Sequence, residues 1–121
     1  MSQVLVDRTY RKVPVGRAAT RLAQAVYDLV AHFPDNEKSG LTSTLKKSAA
    51  SIPPKIAISF MKDDPDDAAE ALEATIATLR ELVAYLDVAE NLGMTARRHF
   101  RRPRRKADLL HDRICDVLDA I

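Results

Sequence analysis

The sequence predicts an all-α protein, an antiparallel up-and-down four-helix bundle. Three observations carry that expectation. Apolar residues recur every third or fourth position in four separate stretches of the 121-residue chain. Prolines, a glycine and an aspartate cluster punctuate those stretches and leave only short links between them. The composition favours helix over sheet: 46% of residues are hydrophobic, only 5% are aromatic, there is no Trp and there are only 3 Gly. A chain of this length makes one domain, and this hydrophobic content builds a core without disulfides or a structural metal.

Residues 1–13 have mixed polarity and no period, and are expected to form an N-terminal tail ahead of a bundle domain over 14–121. Helix one is expected from Arg17 to Phe33, with Ala19, Leu22, Val26, Leu29 and Phe33 on one face. Pro14 suits its first turn, Gly16 argues for a somewhat later start, and Pro34 forces the stop. Helix two opens near Ser39 and carries the stripe Leu41, Leu45, Ala49, Ile52 and Ile56. Pro53 and Pro54 lie inside it and are expected to kink or break it before helix resumes toward Phe60.

Asp63-Asp64-Pro65-Asp66-Asp67 marks the next boundary. Asp64 can cap, Pro65 fits the first helical position, and the carboxylates complement the positive helix end. Helix three then runs from Pro65 to Asn91, with Leu72, Ile76, Leu79, Val83 and Leu86 in the alternating spacing of a left-handed bundle seam. Gly93 suits a left-handed cap. After a basic stretch, helix four runs from Pro103 to Ile121 with the seam Leu110, Ile114, Val117 and Ile121. Sequential helices with short links pack as antiparallel neighbours. No 20- to 50-residue repeat points to a solenoid instead.

Charge is distributed unevenly behind a net +2. Residues 1–62 carry 10 Lys/Arg against 4 Asp/Glu, residues 63–94 carry 1 against 9, and residues 95–121 carry 8 against 4. Two basic regions therefore flank an acidic one. The densest run is Arg97-Arg98-His99-Phe100-Arg101-Arg102-Pro103-Arg104-Arg105-Lys106. Arginine's planar fork matches phosphate oxygens two at a time, and Phe100 offers a face for an unpaired base, so this run is the candidate nucleic-acid contact. The competing reading is a solvated segment whose arginines pair with acidic helix three. Arg8, Arg11, Lys12, Arg17 and Arg21 form a second basic group, which by itself reads as a solvated face.

Catalytic chemistry finds no support. His111 and Cys115 share a helix face, but no further ligands cluster near them in sequence to complete a zinc site. The aspartates at 63–67 lack the Gly and distal Glu of a calcium loop, and capping accounts for them. No phosphate-binding Gly-rich loop, nucleophile elbow or His-Glu-x-x-His motif is present. Neither a metal nor a cofactor is expected. One cysteine, no signal peptide and no apolar run near the roughly 18 residues of a membrane span lead to the expectation of a cytoplasmic, membrane-independent protein.

Helix two carries a further pattern. Phe33-Pro34, Glu37, Gly40-Leu41-Thr42-Ser43, Leu45-Lys46-Lys47, Ala49, Ser51-Ile52-Pro53 and Ile56-Ala57 resemble the signature of the 23S rRNA intervening-sequence proteins. Ala25-Val26-Tyr27 and Leu79-Arg80-Glu81-Leu82 are similar to flanking parts of it. The resemblance is close over residues 22–60, looser over 66–93 and weak elsewhere. It implies an up-and-down bundle assembling as a ring-like homopentamer. Relatives include the accessory subunit of diversity-generating retroelements, which binds a reverse transcriptase and nucleic acid through a basic surface. Where the family usually reads Ser-Ile-Pro-x-Asn-Ile-Ala-Glu-Gly, Lys55, Ile58 and Ser59 replace the Asn, Glu and Gly. Ile58 with Phe60 and Met61 adds apolar surface suited to an interface.

The function expected from sequence is therefore a non-catalytic homo-oligomer presenting a basic surface to RNA, DNA or a ribonucleoprotein. Arg97, Arg98, Arg101, Arg102, Arg104, Arg105 and Lys106 are its expected phosphate contacts, with Lys46 and Lys47 secondary. The alternative is a protein-interaction module, such as an accessory subunit of a reverse transcriptase, without nucleic-acid contact.

Overall fold

A computed structural model describes residues 14–121. The expected tail, with Arg8, Arg11 and Lys12, lies outside the described residues. Among those described, four α-helices and no strand are found: α1 Pro14–Val30, α2 Leu41–Phe60, α3 Pro65–Asn91 and α4 Arg101–Ala120. A 3₁₀ turn, Arg97–Phe100, leads into α4. Helices α1 and α3 each pack against both α2 and α4, which closes a four-helix bundle around one core.

Helix α1 begins at Pro14, three residues before the expected start, because Gly16 is accommodated inside the helix as a buried residue. It ends at Val30 rather than Phe33. The amides of His32 and Phe33 reach back only three residues, to Leu29 and Val30, so the last turn tightens as helix ends commonly do. Phe33 still enters the core.

Helix α2 starts at Leu41, two residues after Ser39. The Glu37 carboxylate receives the Gly40 and Leu41 amides at 3.2 and 2.7 Å and also the Ser39 hydroxyl. Those donors, Ser39 foremost, hold the Glu37 carboxyl below the usual carboxylate range. Gly40 makes the entry with φ +80°, a left-handed conformation that glycine adopts without side-chain strain. Of the expected kink or break at Pro53 and Pro54, a break is absent, and the helix runs on to Phe60 as expected. Ala49, Ile52 and Ile56 are fully buried on either side of the prolines, while Pro54 faces solvent. The buried stripe spans both sides of the prolines and holds the two halves in one helix.

Helix α3 matches expectation at both ends. Asp64 accepts the Asp66 amide at 2.8 Å, and Pro65 opens the helix. At the other end the Gly93 amide donates to Glu90 and the Met94 amide to Ala89, a Schellman cap around Gly93 at φ +69°. The seam is rotated from the expected one. Leu72, Leu79 and Leu86 are buried as expected, but their partners are Thr75, Leu82 and Ala89, while Ile76 and Val83 are half-buried flanks. Thr75 can lie in the seam because its hydroxyl donates to the Ala71 carbonyl at 2.9 Å.

Helix α4 begins before Pro103, whose missing N–H is harmless in a first turn. Its seam is Pro103, Ala107, Leu110 and Ile114. Val117 is half-buried and Ile121 is exposed, so the expected seam is shifted one turn toward the N-terminus. The α3 register predicts unequal costs for adjacent truncations. Leu82→Ala is expected to destabilise by about 3 kcal/mol, and Val83→Ala by roughly 1 kcal/mol. Urea unfolding of the two variants measures the difference.

Candidate nucleic-acid interface

The basic run is folded, not a loop. Arg97–Phe100 makes a 3₁₀ turn, and Arg101 to Lys106 form the first turns of α4. One residue fixes this segment to the bundle. Phe100 is 1% exposed and its ring lies 6.2 Å from that of Phe33. The sequence expectation that Phe100 stacks on a base is therefore wrong. The apolar ring is more stable in the core than beside water, and it occupies the gap between the end of α1 and the start of α4.

With Phe100, Pro103 and Ala107 facing inward, helical spacing distributes the charges around the remaining arc. Arg104 lies on the α3 side. Its Nη2 is 2.7 Å from Asp87 Oδ1 and 2.9 Å from Glu90 Oε1, and its Nε also donates to Glu90 at 3.1 Å. Burial works against the Arg104 cation, but the Asp87 and Glu90 carboxylates outweigh it and hold the guanidinium proton more firmly than usual. Arg102 lies on the α1 side and donates from Nη1 to Asp28 Oδ2 at 2.8 Å. Pairing with acidic helix three thus describes Arg104, and an analogous pairing with α1 describes Arg102.

Arg97, Arg98, Arg101, Arg105 and Lys106 pair with no carboxylate among the described residues. All but the half-buried Lys106 are exposed. The structure brings these five to one end of the bundle, on a continuous turn and helix. Lys46 and Lys47 belong to a different helix, α2. Lys47 is exposed, whereas Lys46 is half-buried with its ammonium 5.5 Å from the centre of the Tyr27 ring. Arg17 and Arg21 are exposed along α1.

Two residues overlooked as a pair in the sequence meet at this end. The His32 and His99 rings stack with centroids 3.9 Å apart and planes 16° from parallel. Burial, then the neighbouring charges of His32 and Arg98, push the His99 imidazole below its usual range. Helical periodicity gives no sign of the contact, because His32 follows α1 and His99 sits in the 3₁₀ turn. His111 and Cys115 are neighbours on α4, with Sγ 3.9 Å from Nδ1, but no group of three or more potential metal ligands occurs among the described residues.

The three family departures on α2 divide by side. Lys55 and Ile58 face solvent, whereas Ser59 is buried and its hydroxyl donates to the Ile56 carbonyl at 2.6 Å. Ile58 is 51% exposed; Val88 and Leu92, one turn apart near the end of α3, are 46% and 58% exposed. No helix among the described residues is long and apolar enough to cross a membrane.

Compared with known families, the chain matches the model described as 23S rRNA-intervening sequence protein over residues 11–115. No curated protein matches it.

The division of charges predicts a division of effects. Arg104→Ala is expected to cost about 1 kcal/mol, because it leaves two carboxylates unpaired. Arg105→Ala is expected to stay within about 0.5 kcal/mol of the parent, as surface substitutions usually do. Chemical denaturation separates them. A second expectation concerns pH. The folded protein binds the His99 proton less readily than the unfolded chain, so this group's contribution to stability is present above the ordinary histidine value and is lost as pH falls below it. Melting temperature is expected to decline between about pH 7.5 and 5.5, and His99→Gln to flatten that slope.

Proposed function

Because the chain belongs to the family of 23S rRNA-intervening sequence proteins, we propose that it is a non-catalytic, homo-oligomeric bundle that presents a basic surface to RNA or a ribonucleoprotein. The observation that carries this reading is the set of five cations, in the 3₁₀ turn and the first turns of α4, that have no carboxylate partner among the described residues. Here Arg102 and Arg104 are paired within the chain, and Arg97, Arg98, Arg101, Arg105 and Lys106 remain directed at solvent or a partner. Phosphates are the ligand class that several exposed guanidinium groups suit best. Lys47 is a supplementary contact, and Lys46 a weaker one because its charge already rests on Tyr27.

The bundle in this reading has an up-and-down course with antiparallel neighbours, which fits the packing of each helix against those adjacent in sequence. Self-assembly is supported by the exposed Ile58 on α2 and by Val88 and Leu92 at the end of α3, and five subunits is the number that the family resemblance implies. A cytoplasmic location fits the single unpaired cysteine. A second reading, a protein-interaction module without nucleic-acid contact, draws on the same exposed apolar side chains and on the use of Arg102 and Arg104 within the chain. Its partner could be a reverse transcriptase, and a protein retained in pull-downs after nuclease treatment would favour it.

The test is an RNA gel shift across a salt series. Replacing Arg97, Arg98, Arg101 and Arg105 together by Ser is expected to weaken binding and reduce the slope of log affinity against log salt by up to about 3, at about 0.7 per phosphate contact on a single strand. The helical circular dichroism should be unchanged. Binding that ignores salt, or no binding by the parent protein, would remove the RNA reading.

A further inference from the structure

A cleft of about 220 Å³ opens between the end of α1 and the start of α4. Its polar walls are Asp28 and His32 from the α1 side, Arg98 and His99 from the 3₁₀ turn, and Arg102 from α4; Leu29 is part of its apolar floor. We propose that this cleft is a phosphate-binding niche, in which Arg98 and Arg102 supply fixed positive charge and His99, stacked on His32, takes up a proton as the phosphate binds. The proposal rests on the RNA reading for the source of the phosphate, a phosphodiester of the nucleic-acid backbone.

The geometry supplies what such a ligand requires. The space corresponds to several waters at about 30 Å³ each, enough for a tetrahedral oxyanion that keeps part of its hydration. Arg102 is positioned by its single bond to Asp28, made through Nη1, and a guanidinium has further donors to offer. Arg98 is exposed and pairs with no carboxylate among the described residues. The stacked imidazoles of His32 and His99 both line the cleft.

Charge sets the pH dependence. Asp28 is the one acidic group lining the cleft, and Arg98 and Arg102 the fixed bases. The two arginines and Asp28 leave the lining with one net positive charge, and a proton on His99 raises it to two. The neighbouring His32 ring and the Arg98 charge both oppose a proton on His99. A phosphate in the cleft removes that cost, so binding and proton uptake are coupled. Because Arg98 and Arg102 belong to both the cleft and the basic run, a strand crossing the run can seat one phosphate in the cleft.

The experiment uses the full chain in phosphate-free buffer. Anisotropy of a labelled oligouridylate is measured at about pH 8 and pH 6, on the parent and on His32→Gln/His99→Gln. In the parent, affinity is expected to rise several-fold as pH falls, with a limit of about tenfold per pH unit for each proton taken up. The double variant is expected to lose that rise while keeping its salt dependence. Separately, inorganic phosphate alone is added to the parent, and the imidazole NMR signals are followed. Those of His32 and His99 should move and that of His111, on another face of α4, should not. An unchanged pH response in the double variant, or equal movement of all three histidines, would overturn the niche. Salt-dependent RNA binding with no pH response would discard the niche and leave the RNA reading intact. Phosphate binding at His32 and His99 without any RNA binding would uphold the niche and discard the nucleic-acid source.

Discussion

The two interleaved rows on α3, Leu72-Leu79-Leu86 and Thr75-Leu82-Ala89, are the constraint on which the rest of the bundle depends. A helix of 27 residues spans roughly 40 Å. It has no apolar face wide enough to be enclosed from all sides, so it must be covered along one stripe. Helices α2 and α4 provide that cover, and α1 closes the far side of the core by packing on both. The small side chains of Ala89 and Thr75 sit in the same row as bulky leucines, and Ala19, Ala49 and Ala107 play the same part on the other helices. Such alternation lets side chains of different size fill a common layer without voids. No buried side-chain oxygen or nitrogen is left without a partner among the described residues, so polar atoms do not oppose the collapse.

The architecture was readable because period and punctuation agreed. Asp64-Pro65 and Gly93 fixed the limits of α3 to the residue, since each of those residue types has a specific task at a helix end. Where expectation and structure part, a tertiary effect overrides a local one. Pro53 and Pro54 signal a break, yet the burial of Ala49, Ile52 and Ile56 keeps α2 continuous. Val83 and Ile76 fit a seam as well as Leu82 and Thr75 do by spacing, and only the positions of neighbouring helices choose between them. Glu37 was not expected as a cap, because its side chain reaches forward from the loop over Gly40 in a left-handed turn.

The candidate site was readable in composition but not in arrangement. The run from Arg97 to Lys106 stands out in any reading of charge. Its division into paired and unpaired members depends on Asp28, Asp87 and Glu90, which belong to helices remote in sequence. The same holds for His32 and His99, which are separated by most of the bundle's chain and joined by its topology. Phe100, interleaved with arginines, has the sequence context of a base-stacking residue and the environment of a core residue.

That last residue has a thermodynamic consequence. Arginine-rich arms in many proteins are disordered until they meet a partner, and fixing each backbone residue then costs about 1–2 kcal/mol. Here the Phe100 ring is locked into the bundle, and Arg97 to Lys106 already hold helical backbone angles. The ordering entropy of the segment is incurred during folding and not at encounter. Association would then immobilise side chains alone, and the guanidinium spacing would select among partners by shape as well as by charge.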